Sequence, residues 1–476
     1  MGARDVIKRV DRALGDGLEQ VVVAHHRRRL GRLGWRNALD APAGGWAAGS
    51  PPPRQGNDFE VFVDGSEALP AIARAVEDAR ERVWVAGWYF SPELRVGETS
   101  LRELLAEAAE RVEVKVLAWA GAPLPLFHPD RKEVREMRER LVGGTRIECA
   151  LDDRERPMHC HHEKLVIVDG RIAFVGGIDL TTLGGDRLDT SLHPARGSVG
   201  WHDAASRVIG PAAVDVADHF ALRWGEVTGE KLSGVHTEDA GGVELQVVRT
   251  VPNNVYDQLP RGDFRILESY LRAIRSAERL IYLESQFLWS YEFVSALEDK
   301  LRNPPADDFR VVIVLPAHPN NGQEDTRGQL GVLAEADGGS DRFLACTLWQ
   351  PGQDAKPVYV HAKIGIVDDR WLTIGSANLN EHSFFNDTEM NVVTHDPEVA
   401  RAVRLRLWSE HLGCDPAELE ADPAPIVDER WRPLAGEQLE RRRRGEGTTH
   451  RLQLLPHVSR RAKGLLGPLN GFFVDG

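Results

Sequence analysis

His162–Asp179 reads HEKLVIVDGRIAFVGGID and His361–Asn378 reads HAKIGIVDDRWLTIGSAN. Each stretch carries the triplet His-x-Lys-x4-Asp, once as His162, Lys164 and Asp169 and again as His361, Lys363 and Asp368. In both, an apolar run, an acidic turn, a second apolar run and a pair of small residues follow in the same order. A lone His-x-Lys before an apolar run is an ordinary polar strand entrance; a second copy in equivalent surroundings is a repeat. Residues two apart in extended chain face the same side, so His162 with Lys164, and His361 with Lys363, can aim an imidazole and an ammonium at one spot. Asp169-Gly170 is a strong two-residue hairpin signal, which puts Asp169 at a turn and assigns it, with Asp368, a scaffolding role in the triplet. Beyond the return strand, Gly176-Gly177 and Gly375-Ser376 leave room for backbone amides to approach an anion, and Asp179 or Asn378 follows.

The repeat extends beyond these stretches. RAVEDARERVWVAGWYF at Arg74–Phe90 matches RAIRSAERLIYLESQF at Arg272–Phe287, and VEVKVLA from Val112 matches RVVIVLP from Arg310 at nearly the same offset. Helical patterns alternate with apolar strands in both halves, which favours parallel sheets flanked by helices in a duplicated α/β unit. The boundaries read as residues 1–56 for a short helical extension and a Gly/Pro-rich linker, 57–240 and 241–430 for two repeats, and 431–476 for a basic tail.

The paired motifs, the GGID and GSAN segments, IYLESQFLW at Ile281–Trp289 and WHD at Trp201–Asp203 together resemble the phospholipase D superfamily, most closely its two-motif phospholipases D. The resemblance covers roughly residues 57–415. It implies two α/β/α sandwich halves related by a pseudo-two-fold axis, with one active site between them that works without metal or cofactor. It further implies that His162 attacks phosphorus to form a phosphohistidine, while His361 protonates the departing alcohol and then activates water or another alcohol. Lys164, Lys363 and Asn378, with Ser376 and Gly177 beside them, would hold the phosphate oxygens. Each histidine needs a carboxylate to fix its tautomer, and Asp203 and Glu389 lie downstream of the two motifs. Asp179, where the second half has Asn378, would repel a phosphate and is left outside the clamp.

His159-Cys160-His161-His162, with Asp152 and Asp153 nearby, offers metal-ligating residue types. Adjacent ligands cannot all converge on one ion, however, and the spacing fits no zinc pattern. Trp84, Trp88, Tyr89 and Trp201 read as core and pocket wall.

A chain of 476 residues with 42% hydrophobic and 28% charged residues is an ordinary globular composition with room for two cores. Its four cysteines form no framework and no apolar run has the length to cross a bilayer, so the expected location is the cytoplasm, with peripheral contact at a membrane. Arg441–Arg444, Arg451, Arg460, Arg461 and Lys463, followed by Leu465, Leu466, Leu469, Phe472 and Phe473, could lie on an anionic surface or pack as a solvated tail. A formal charge of -14 opposes nucleic acid as a partner. The favoured activity is hydrolysis of the distal phosphodiester of a glycerophospholipid to phosphatidate and an alcohol, with transphosphatidylation as a related outcome. A nuclease, another non-lipid phosphodiesterase and a cardiolipin-synthase-like phosphatidyltransferase are the alternatives. The expected partner is a phospholipid at a membrane surface, with no obligate protein partner and a monomeric chain, since both motifs lie on it. Head-group preference is assigned to loops at Thr181–Trp201 and His318–Gly352.

Overall fold

The computed structural model describes residues 3–124, 127–156, 159–183, 200–234, 237–320 and 322–456. Its strands are buried on both faces, and alternation along each run sends neighbouring side chains into different cores. Val83 and Val85 join one apolar cluster with Val114, Val116 and Val166, whereas Trp84 and Ala86 join another with Leu117, Leu165 and Ile167. In the second half Ile281 and Leu283 pack with Val311 and Ile313, and Leu280 and Tyr282 with Val312, Val314 and Ile364. Strands covered on both sides by helices read as continuous apolar runs, as these do.

The first half contributes β1 (Arg54–Val63), β2 (Arg82–Gly87), β3 (Glu113–Trp119), β4 (Glu148–Asp152), β5 (Leu165–Val168), β6 (Ile172–Gly176), β7 (Trp201–His202) and β8 (Ala204–Ile209). The second contributes β9 (Val243–Val251), β10 (Leu280–Glu284), β11 (Arg310–Val314), β12 (Phe343–Trp349), β13 (Pro357–Val360), β14 (Ile364–Val367), β15 (Trp371–Gly375), β16 (Glu389–Thr394) and β17 (Leu452–Leu454). Strands β2, β3 and β4 pair in parallel, and β5, β6, β8 and β1 continue from β2 in antiparallel order. Strands β10, β11 and β12 pair in parallel, and β14, β15, β16 and β9 continue from β10 in the same way. The two pairing orders correspond strand for strand. They are joined by antiparallel contact of β1 with β9, by parallel pairing of β7 with β13, and by a bridge from His161 to Thr388.

Both motif hairpins form where the sequence places them, but with three residues, 169–171 and 368–370, between the last paired positions in place of two. Asp169 and Gly170 take φ of 52° and 66°, and Asp368 and Asp369 take 54° and 52°, left-handed central pairs of turns closed by Arg171 N–H to Val168 O and Arg370 N–H to Val367 O. The Asp169 carboxylate accepts the backbone N–H groups of Arg80, Glu81 and Arg82. Asp368 does the same for Glu278, Arg279 and Leu280. Each aspartate therefore ties the hairpin to the start of the neighbouring central strand, at the turn end of the hairpin and remote from the histidine.

Four segments differ from their sequence reading. The N-terminal extension is one long helix, α1 (Ala3–Leu33), and the basic run His25–Arg29 lies inside it. Arg29 is buried there and donates to Asn253, Asn386 and the Phe385 carbonyl. The Gly/Pro-rich stretch after it is held against the second half: Gly44 N–H donates to Arg272 O, Ala47 N–H to Gln246 Oε1, and Arg265 to Pro51 O. His318–Gly352 is largely regular structure, containing α2 (Gln323–Asp337) and β12; its mixed burial concealed the helix. Residues after 431 form a helix, Arg432–Arg443, and then β17, which pairs with β12. Arg442 stacks 3.9 Å over Trp349. Most of the Thr181–Trp201 loop, and Arg460, Arg461, Lys463 and the apolar residues beyond, lie outside the described residues. Among the described residues no helix is long and apolar enough to cross a membrane.

Candidate active site

Both His-x-Lys pairs stand just before their strands, in extended chain that alternates as a strand would. Glu163, between His162 and Lys164, points the opposite way and accepts from Arg223 and from His219 at 2.8 Å. Ala362, between His361 and Lys363, enters the apolar core. His162 and Lys164 are thereby left facing one side, as His361 and Lys363 are.

Backbone contacts between the halves fix both pairs. His162 N–H and Glu163 N–H donate to Thr388 O at 2.9 and 3.0 Å, and His361 N–H and Ala362 N–H donate to His202 O at 2.7 and 3.1 Å. Each histidine is therefore bonded to the residue just before an acid of the other half. His162 Nδ1 donates to Glu389 Oε1 at 2.9 Å, and His361 Nδ1 donates to Asp203 Oδ2 at 2.7 Å. The acid downstream of each motif thus serves the histidine of the other motif.

The lysines share this space. Lys164 forms an ion pair with Asp179 at 3.3 Å, which neutralises the carboxylate that the sequence left outside the oxygen clamp. Each lysine also donates to the carbonyl of its own histidine. A side chain at Gly177 would meet Asp203 Oδ1 at 2.2 Å and Lys363 Cδ at 3.2 Å, so glycine is required there by close packing of groups from both motifs. The field at Lys363 includes Lys164, Asp179 and Glu389.

Burial shapes the charges. It pushes His162 down to about 3, with Lys164 acting in the same direction. It pushes Glu389 up to about 8 against the pull of Lys164 and two serine hydroxyls. Separated charges are disfavoured in so dry a pair, which leaves the imidazole neutral at neutral pH. Lys363 falls to about 7 for the same reason, aided by Lys164. A pocket that withholds charge from its own cation is one that gains from an incoming anion.

Glu389 is held by Ser383 Oγ at 2.6 Å and by Ser376 Oγ. Asn378 N–H donates to Ser383 Oγ at 3.0 Å, and Asn378 Nδ2 lies 3.4 Å from Gln286 Oε1. Asp203 accepts from Ala204 N–H, while its own N–H donates to Asp64. Trp201 lies against His361 with ring centres 4.7 Å apart, a pocket-wall position as its sequence reading had it. Trp84, by contrast, is core.

One expectation fails. Gly177 N–H donates to Ala204 O, Gly375 N–H to Lys363 O, and Ser376 N–H to Met390 O. These amides are committed to the fold and do not face an anion; the small residues are needed because β6 and β15 press against β8 and β16. Gln286, which also donates to Tyr359 and Asn320, and Ser383 were missed by sequence reasoning. Gln286 lay within the quoted IYLESQFLW segment, whereas nothing local marked Ser383.

Comparisons with known proteins bear on the family and the fold. A family model described as cardiolipin synthase, PLD-like domain, matches residues 270–409. Phospholipase D A of Dictyostelium discoideum is 26% identical, the match covering 77% of this chain and 36% of that protein. Phospholipase D alpha 4 of Arabidopsis thaliana is 26% identical over 72% of this chain and 63% of its own length. A cardiolipin synthase of Oceanobacillus iheyensis is 25% identical over 74% and 68%. The chain spans between about a third and under two-thirds of the first two relatives. In fold it is similar to the crystal structure of phosphatidylserine synthase from Haemophilus influenzae, with a TM-score of 0.51 and 13% identity over 79% of this chain and 88% of that one.

Proposed function

The chain belongs to the phospholipase D superfamily, and on that premise we propose that it cleaves the distal phosphodiester of a glycerophospholipid through a phosphohistidine. The single observation that carries this reading is the exchange of carboxylates. Each histidine is oriented by an acid from the other half, so neither half holds a complete catalytic unit.

In the first step His162 Nε2 attacks phosphorus. A P–N bond forms, the P–O bond to the head-group alcohol breaks, and the leaving oxygen takes a proton from His361. The neutral state of His162 in its dry pocket suits a nucleophile. Asp203, at 2.7 Å, suits a residue that must carry positive charge before giving up its proton. In the second step His361 removes a proton from water, the oxygen attacks phosphorus, and the P–N electron pair returns to His162. Phosphatidate is released. Lys164, Lys363 and Asn378 hold the equatorial oxygens in both steps.

A second alcohol in place of water gives phosphatidyl transfer by the same route. The cardiolipin synthase relatives favour this reading specifically, because the intermediate is common to both reactions and only the acceptor differs. Chromatography of lipid products from phosphatidylcholine, phosphatidylethanolamine and phosphatidylglycerol vesicles tests both. Phosphatidate with free head group is the expected result, and cardiolipin formed from phosphatidylglycerol in its place would assign the chain to transfer. Intact lipids beside cleaved DNA, RNA or a model diester would overturn the lipid reading.

A further inference from the structure

Beside the catalytic pocket, and taking no part in the chemistry above, His159, His382 and Asp387 bring three ligand atoms within 4.8 Å of one another. His159 Nδ1 lies 3.0 Å from His382 Nδ1 and 3.5 Å from Asp387 Oδ1. For a tetrahedral zinc ion with bonds of about 2.0–2.1 Å, neighbouring ligand atoms lie about 3.3–3.4 Å apart, and these separations fall on either side of that edge. All three side chains are buried, at 7%, 0% and 1% exposure. Two imidazoles and one carboxylate, with a fourth position open, is a donor set that suits zinc.

Two further observations favour a ligand over a plain hydrogen-bond cluster. Asp387 Oδ2 is buried and, among the described residues, has no hydrogen-bond partner, an uncommon state for a carboxylate oxygen in a dry interior. The triad is also held in place by its surroundings, as metal ligands are. Cys160 N–H donates to Asp387 Oδ1 at 2.9 Å, Asp387 N–H donates to His382 O at 2.9 Å, and Thr388 N–H donates to Cys160 O at 3.1 Å. His159 comes from the first half; His382, in the short helix α3 (Glu381–Phe385), and Asp387 come from the second. The run His159–His162 thus contributes one ligand only, and the objection that adjacent residues cannot converge on an ion does not apply to it.

We propose that His159, His382 and Asp387 form a three-ligand zinc site that fastens the two halves together next to the His162–Glu389 pair. Zinc here does not contact substrate. It locks the strip 159–162 against 387–389, and so sets the position of the nucleophile through the chain.

Full-length protein stripped with chelator and dialysed is the material for the test, with Zn2+ and then Co2+ as probes. The expected result is one equivalent of Zn2+ bound, an upward shift in Tm on binding, and a visible spectrum of four-coordinate Co2+. His382→Gln and Asp387→Asn should each weaken Zn2+ binding by at least about tenfold, whereas His162→Asn should keep the equivalent bound. Absence of stoichiometric Zn2+ binding by the wild type, or binding unaffected by His382→Gln, would overturn the proposal. Loss of the ion in His162→Asn with retention in His382→Gln would do so too, by placing it in the catalytic pocket. Should His382→Gln fail to fold, His159→Gln takes its place, and a six-coordinate Co2+ spectrum in the wild type is by itself contradictory.

Discussion

The two histidine sites are built alike and tuned differently. His162 meets Glu389, a carboxyl sunk deeply enough to be pushed up to about 8 and held by two serine hydroxyls. His361 meets Asp203, which directly follows β7 and accepts the Ala204 backbone amide. Beside the first pair Lys164 is matched by Asp179, while the second half has Asn378 at that place. Two corresponding strand orders therefore carry a neutral imidazole on one side and an imidazole backed by a close aspartate on the other. The asymmetry lies in the residues around the motif and not in the motif.

That contrast can be broken by exchanging charge for amide at each acid. Asp203→Asn removes the partner that steadies a proton-carrying His361 and is expected to lower kcat by about 10²–10³-fold. Glu389→Gln keeps an acceptor for His162 Nδ1 and replaces a carboxyl that burial already disfavours in its charged form, so a loss of about tenfold is expected. Steady-state kinetics on a soluble phosphodiester would show the order, and equal or reversed losses would dissolve the distinction between the sites.

Acidity sharpens it further. Lys363 sits at about 7 in the free protein because burial, and then Lys164, disfavour its charge. An anionic phosphodiester is held by the charged form, so kcat/KM should fall as pH rises through about 7, up to tenfold per pH unit on the descending limb. Lys363→Arg, charged throughout, should flatten that limb even where its absolute activity is low. A limb unchanged in Lys363→Arg would assign it to another group.

The smallest effect on chemistry belongs to the turns. Asp368→Ala strips acceptors from Glu278, Arg279 and Leu280 N–H, and Asp169→Ala does the same in the first half. Each should cost about 1–3 kcal/mol of stability in denaturant unfolding, with kcat nearly unchanged below the transition. A large loss of kcat in the folded variant would make these aspartates more than scaffold.

Legibility in the sequence follows the range of the interactions. The hairpins and the facing of His162 with Lys164 rest on residues within a few positions or on a single turn, and local pattern reveals them, whereas the amides that Asp169 holds lie 87 to 89 positions away. The carboxylates are not local either: Glu389 reaches His162 across 227 positions and Asp203 reaches His361 across 158. A pattern scan finds acids downstream of each motif but cannot find that they are exchanged. The Gly-Gly and Gly-Ser pairs misled because smallness serves close strand packing as well as anion approach, and the sequence does not distinguish the two. The N-terminal helix was legible as a short extension, but its length and docking were not, because its anchoring face relies on His26 and Arg29 meeting Glu292 and Asn253 far along the chain.

The most direct test of one shared site is to trap the covalent intermediate. Protein carrying His361→Ala, mixed with a phosphatidyl-labelled lipid bearing an activated leaving group and quenched at alkaline pH, should hold phosphate on His162, since attack proceeds while release is slowed. Peptide mapping by mass spectrometry reads the position. Label on His162 that disappears in the His162→Ala, His361→Ala double variant is the result the exchanged-acid site requires; no covalent label in a His361→Ala variant that still turns over lipid would contradict it.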